Sequence, residues 1–302
     1  MRLPRLSPRW APYVFLSPFL ALFAVFGLFP LLFSLYLAFQ SWEPTSGFDA
    51  MHYVGLANFA FALEDEWFWK SLRNTLWLAL LSGLPQHLVA IPLAVFIHRS
   101  FKRLRDGMVG AYFLPYITST VAIALLFSAL FSTDYGLVNA ALRGLGFSNI
   151  DWLNEPAALQ PAIALLVFWR YLGFNLVLYL AALQTIPRDL YEAAAMDGAG
   201  AWSQFWHITL PGIRPMVYFA VTLSVIGGLQ LFEEPFILTG GSDRPIGGPD
   251  QAGMTAALYL YRLAFDFNDF GGASAMSWLL LLVVAALTWA TNRAFKQKGD
   301  RA

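Results

Sequence analysis

The residues with the most chemical potential in this sequence are charged and polar groups set inside long apolar runs. Arg170 interrupts the run from Pro156 to Pro187, and Glu233 and Glu234 interrupt the run from Pro215 to Ser242. Trp169, Asn175 and Gln230 lie in the same two runs. An ionisable group in hydrocarbon is expensive, and by default it faces a bundle interior or a wet cavity. Two readings stand side by side. Arg170 serves either a structural ion pair or a hydrophilic solute path, and the glutamates serve either interfacial solvation or the same path. Covalent chemistry finds little support. The chain has no cysteine, hence no disulfide, thiolate nucleophile or thiolate metal site. His52, His87, His98 and His207 are scattered and read as packing or surface residues. None of the lysines Lys70, Lys102, Lys296 and Lys298 follows a glycine-rich turn, so a phosphate-cradling loop is absent.

The elements that must hold these groups are membrane helices. Of 302 residues, 58% are hydrophobic and only 13% are charged, against about 45–50% and about 25% in soluble domains. That composition excludes a disordered chain and argues against a soluble enzyme. A net charge of zero gives no reason to expect nucleic acid. Trp10–Trp42, Asn74–His98, Gly107–Thr133 and Phe270–Asn292 contain no Asp, Glu, Lys or Arg, and each exceeds the roughly 20 residues a helix needs to cross a bilayer. With the two interrupted runs they predict an all-α integral membrane protein with six transmembrane helices, near 13–39, 75–98, 108–131, 161–183, 215–238 and 274–293. The first run is too long for a cleaved signal peptide, so it is expected to stay in the membrane. Residues 1–12 and 294–302 are left as tails around a permease domain of 13–293. Thirteen of the 19 Lys and Arg residues fall in the tails, the 99–105 loop and the 184–214 segment, and five fall in the alternate loops. This bias puts both termini in the cytoplasm. Pro30, Gly83, Pro85, Pro92, Gly173, Gly227 and Gly228 lie inside spans. They read either as ordinary tolerance in membrane helices or as kinks around a cavity.

The cytoplasmic segment 184–214 carries the most specific pattern. Pro187 suits a first helical turn, Asp189 and Glu192 suit a helix N-terminus, and Leu190–Met196 favours helix. Gly198 and Gly200 end that helix. A second helix, about 201–210, carries Trp202, Phe205, Trp206 and Leu210, and Pro211 is expected to stop it. Glu192, Ala193, Ala194, Gly198, Ile208, Leu210 and Pro211 together fill the pattern E-A-A, three residues, G, nine residues, I-x-L-P. This EAA motif resembles the cytoplasmic loop of binding-protein-dependent ABC importer permeases. Leu183-Gln184, Ile186-Pro187, Gly136, Asn139 and Thr239-Gly240-Gly241 extend the match. Tyr259, Tyr261, Phe265 and Phe270-Gly271 with Ala273-Ser274-Ala275 look like the carbohydrate-uptake, maltose-transporter branch. Ser242 departs from the proline that commonly follows the double glycine.

The resemblance implies a type I ABC importer permease fold in a bacterial cytoplasmic (inner) membrane. It also implies a coupling helix that docks on a separate ABC ATPase dimer, which binds ATP and magnesium, so that this chain needs no cofactor of its own. Glu192 would make the polar contact, Ala193 and Ala194 would allow close packing and Gly198 would allow the turn, with Asp197, Ile208, Leu210 and Pro211 in the same ATPase-coupling set. Further implied partners are a second permease subunit, an extracytoplasmic sugar-binding protein and membrane lipid. Sugars need hydrogen-bonding groups and flat aromatic surfaces, so Trp169, Arg170, Asn175, Gln230, Glu233 and Glu234 become candidates for the substrate path. Within the family, glycerol phosphate or another polar solute is the alternative substrate. A secondary transporter is a more distant rival, because no internal repeat is visible and the 192–211 pattern would go unexplained. A membrane-embedded enzyme lacks a catalytic constellation.

Overall fold

A computed structural model describes residues 7, 9–100, 104–240 and 245–296, the last by its backbone only. Arg2, Arg5, Lys102, Arg103, Arg244, Lys298 and Arg301, with Gly241 and Ser242, lie outside the described residues. In chain order the helices are α1 (Ala11–Leu37), α2 (Ala57–Glu64), α3 (Glu66–Ser100), α4 (Arg105–Ile117), α5 (Thr120–Leu130), α6 (Leu137–Gly144) and α7 (Pro156–Leu183). There follow α8 (Arg188–Met196), α9 (Ala201–Gly212), α10 (Arg214–Leu229), α11 (Glu233–Thr239), α12 (Ala256–Phe265) and α13 (Phe270–Lys296). Two short antiparallel strands, Gln40–Ser41 and His52–Tyr53, pair Gln40 with Tyr53 and Ser41 with His52.

Among the described residues, α1, α3, α7 and α13 are each long and apolar enough to cross a membrane, and two bent pairs, α4–α5 and α9–α10, bring the number to six. Two expected spans are therefore not straight. The 108–131 span is bent by 94° between Ile117 and Thr120. Pro115 removes one backbone donor there, and the extended Thr118 and Ser119 are better caps than helix formers. The 215–238 span ends early, at Leu229, and resumes as the separate α11. In α1 the helix widens to a π turn over Ala24–Leu28, with Phe29 N–H bonded to Ala24 O. This accommodates Pro30, whose ring would clash with the carbonyl four residues back in a regular α turn.

The chain forms two compact units. The first comprises Met1–Asp65 and Leu260–Leu280. No residue of Ala11–Phe23 is buried, so that helix presents apolar side chains on all sides. Beyond it, Trp42 packs against Phe48 at 5.5 Å and Phe270 at 5.8 Å between ring centres. Asn58 Nδ2 donates to the Ala38 and Gln40 carbonyls at 3.0 and 2.8 Å. Asp269 caps α13 by accepting from Gly272 N–H at 2.8 Å.

The second unit comprises Glu66–Tyr259 and Leu281–Ala302. Its central seam is α3 against α7, with α4 on α7, α10 on α3 and α11 on α5. The α4–α7 approach is tight at Gly173, where a Cβ would collide with the Tyr112 carbonyl. Helices driven together in lipid rely on such small residues for close packing. One apolar cluster joins Phe127, Phe131, Leu159, Ile163, Leu166 and Leu238. A second joins Ile97, Leu176, Tyr179, Leu180, Leu183 and Ile213. The loop around α6 is tied by Asn139, which is fully buried. Its Nδ2 donates to Thr133 O and Ile150 O at 3.1 and 2.8 Å. Its Oδ1 accepts from Ile150 N–H and Trp152 Nε1 at 3.1 Å each.

Asn139→Leu would leave three polar groups, Ile150 O, Ile150 N–H and Trp152 Nε1, without their partner, while Thr133 O keeps its bond from Asn149. At roughly 1–3 kcal/mol for each group left unsatisfied, softened where water enters, the expected loss is about 3 kcal/mol. A clear fall in melting temperature of the purified protein checks this. Asn149→Ala, which removes an exposed bond to Thr133 O at 3.1 Å, should shift it far less.

Candidate functional site

At the end of the bundle that the charge bias assigns to the cytoplasm, α8 and α9 form a helix–turn–helix between α7 and α10. Asp189 lies in the first turn of α8, and Pro187 stands one residue outside as its cap. The turn is a Schellman closure. Gly198 N–H bonds Ala195 O at 3.1 Å and Ala199 N–H bonds Ala194 O at 2.8 Å. Gly198 adopts φ +82° in otherwise open space. Glycine is needed there for its backbone, since a side chain would meet no atom. Contrary to the expectation at Pro211, α9 does not stop there. It widens to a π turn over Phe205–Thr209 and continues to Gly212, and the chain swings by 67° into α10. The wide turn relieves the clash a proline makes with the carbonyl four residues back.

The two short helices are locked to each other and to α3. Tyr191 Oη shares a hydrogen bond of 3.0 Å with the buried Thr209 Oγ1. Gln204 Nε2 donates to Ala199 O at 3.1 Å. Arg99, at the end of α3, donates to Gln204 Oε1 at 3.3 Å and lies 5.5 Å over the Tyr191 ring. Glu192, Ala193, Asp197 and Pro211 are exposed, whereas Ala194, Ile208 and Leu210 are half-buried.

The second constellation lies between spans. Arg170 Nη1 donates to Glu234 Oε1 at 2.6 Å, and their side chains are only 13% and 4% exposed. The pair joins α7 to α11. Arg170 lies 14 residues into α7, or about 21 Å along its axis. The Glu234 side chain is buried against Arg170 rather than solvated. Asn175 is buried, and its Nδ2 donates to Gln86 Oε1 at 3.1 Å. Among the described residues its Oδ1 has no hydrogen-bond partner. Asn175 and Gln86 line a cavity of about 200 Å³ with Tyr116, Tyr171, Phe174 and Ser224. Tyr116 stacks on Phe174 at 4.8 Å between ring centres. The other three candidates are not drawn into this cluster. Trp169 is part-exposed against Phe127, Gln230 is exposed at the end of α10, and Glu233 is exposed at the start of α11. Gln86 and Arg99 are partners the sequence reading missed. Gln86 is the one glutamine in the charge-free run 74–98, which was the available signal.

This arrangement of bent spans around a polar interior, with an exposed helix pair at one end, is that of a solute permease. Residues 90–298 match the model of the binding-protein-dependent transport system inner membrane component family, and the chain belongs to that family. It is 34% identical over 297 residues to the arabinooligosaccharides transport system permease protein AraP of Bacillus subtilis, covering 97% of this chain and 92% of that one. It is 34% identical over 289 residues to the lactose transport system permease protein LacF of Rhizobium radiobacter, covering 95% and 94%. A crystal structure of a bacterial ABC transporter involved in the import of the acidic polysaccharide alginate superposes with a TM-score of 0.82 at 26% identity, covering 95% of this chain and 96% of that chain. The protein is thus a multi-pass permease of binding-protein-dependent uptake.

The ion pair makes a distinguishing test. Arg170→Met or Glu234→Leu alone strands a buried charge and should cost about 3–5 kcal/mol, whereas the double variant should recover most of it. Thermal melts of the three purified variants check this. Equal losses in all three would deny the coupling.

Proposed function

We propose that this permease carries a sugar or oligosaccharide across the inner membrane, delivered by an extracytoplasmic binding protein and driven by a separate cytoplasmic ATPase dimer. A second permease subunit completes the path. The observation that carries this reading is the α8–α9 pair, exposed on its outer side, bonded to α3 through Arg99 and joined along the chain to α7 and α10. Such a pair can receive a push from a neighbouring protein and pass it to three spans at once. Glu192 offers the ATPase a carboxylate on the exposed side of α8. Ala193 and Ala194 let the partner approach closely, Asp197 and Gly198 fix the turn, and Ile208, Leu210 and Pro211 seat α9. ATP and magnesium belong to the partner, because this chain lacks the loop that would cradle phosphates.

A sugar is favoured because the names of the relatives AraP and LacF are those of arabinooligosaccharide and lactose permeases. The cavity chemistry agrees. Amide, hydroxyl and aromatic groups from Gln86, Asn175, Ser224, Tyr116 and Phe174 suit a polyol with apolar ring faces. In this reading Arg170 and Glu234 hold the wall of the path, Asn175 contacts solute, and Trp169, Gln230 and Glu233 act where the second permease closes it.

Extraction from the native membrane in mild detergent tests the assembly. A Walker-motif ATPase and a second permease should co-purify, and ATP hydrolysis should rise with sugar-loaded binding protein. A lone protein supporting ion-driven uptake without ATP would overturn the proposal. At the residue level, Glu192→Lys and Gly198→Val should remain in the membrane at normal levels yet abolish uptake. Gly198→Asn should retain a measurable fraction, because asparagine tolerates positive φ. Radiolabelled sugar uptake, with membrane abundance measured alongside, reads both outcomes.

A further inference from the structure

We infer that the cytoplasmic end of the second unit binds one anionic glycerophospholipid, with its headgroup among Arg99, Arg105 and Arg188 and an acyl chain between α3 and α9. Two adjoining spaces of opposite character carry this. One is a chamber of about 780 Å³ lined by those three arginines, with Glu192 as the only acidic side chain among the described residues that line it. The other is a groove of about 570 Å³ lined by Ile91 and Phe96 of α3 and by Trp202, Phe205 and Leu210 of α9. Val95 and Arg99 line both. A ligand filling the two together is anionic at one end and hydrocarbon at the other.

The chamber keeps its charge. Among the described residues no carboxylate forms an ion pair with Arg99, Arg105 or Arg188. Arg99 is held by neutral groups, the Gln204 amide oxygen and the Tyr191 ring. These orient the guanidinium without neutralising it. Basic pockets between spans on the cytoplasmic side attract anionic headgroups. Trp202 and Trp206, 72% and 47% exposed, flank the groove as indoles do at membrane–water interfaces. The groove also leads towards Leu84 and Leu88 on α3, which are 58% and 65% exposed inside an apolar span. A segment of a soluble partner has no means of following α3 into hydrocarbon, whereas an acyl chain lies there naturally. A free phosphate would leave the groove unfilled.

The test is lipid retention by the purified transport complex, read by native mass spectrometry after titration with phosphatidylglycerol or phosphatidylcholine of identical chains. One phosphatidylglycerol per permease is expected to persist, with phosphatidylcholine retained about tenfold less. Arg105→Gln/Arg188→Gln should lower phosphatidylglycerol retention about tenfold, and Arg105→Lys/Arg188→Lys should restore most of it. Equal retention of both lipids by the wild-type complex would overturn the inference, and this comparison needs no variant to fold. So would retention unaltered in the glutamine variant. Displacement of the lipid by millimolar inorganic phosphate would assign the chamber to a free anion instead. Retention seen only after the ATPase is stripped away would assign it to a protein contact.

Discussion

A backbone carbonyl released inside hydrocarbon must find another donor, and much of this permease follows from one such carbonyl. Pro235 has no N–H to offer Leu231 O, its partner in a regular helix. The Thr255 hydroxyl takes that place at 2.6 Å. The Leu231 carbonyl is thereby satisfied where the span breaks after Leu229. Once broken, the chain resumes as α11 with its own direction, and Glu234 meets Arg170 on α7. Thr255 belongs to a loop that is stitched down in turn. Asn74 of α3 donates to Gln251 O and Met254 O at 2.9 and 3.1 Å, and Thr75 Oγ1 accepts from Ala256 N–H at 2.8 Å. The irregular stretch is secured from both sides by side chains of regular helices.

The same economy governs the opposite end. The α8–α9 arm is small and largely exposed, so it cannot be held by apolar burial within the chain alone. Backbone closure at Gly198, the Tyr191–Thr209 bond and the grip of Arg99 on Gln204 supply its shape. Each is a modest interaction, worth about 1 kcal/mol in stability. Their value lies in geometry. In the coupling proposed above, a stiff arm would convert displacement by the ATPase into movement of the spans it joins, while a floppy one would absorb it.

Much of this was legible beforehand, and the reason differs by element. The six spans show because hydrocarbon demands about 20 apolar residues at a stretch, a signal that survives bends and breaks. The turn at Gly198 shows because positive φ leaves few residue choices. What stayed hidden depends on tertiary proximity. Arg170 and Glu234 are 64 residues apart, and nothing local announces that they meet. Nor does Pro211 reveal that a π turn upstream will let α9 continue past it. Local sequence identifies a proline's missing donor but not the neighbour that compensates for it.

The buried ion pair is best understood through that distinction. Two charges withdrawn from water rarely stabilise a fold more than a matched apolar pair would. Their retention between α7 and α11 therefore calls for a reason other than stability. A transport path through lipid must be polar enough for solute and yet hold a broken helix in one place. In the path proposed above, Arg170 and Glu234 would do both with a single contact: each satisfies the other's charge, the guanidinium lies 5.4 Å over the Tyr171 ring, and Tyr171 lines the same cavity as Asn175. The pair thus links the position of α11 to the wall of the polar cavity, so that a shift of either is felt by the other.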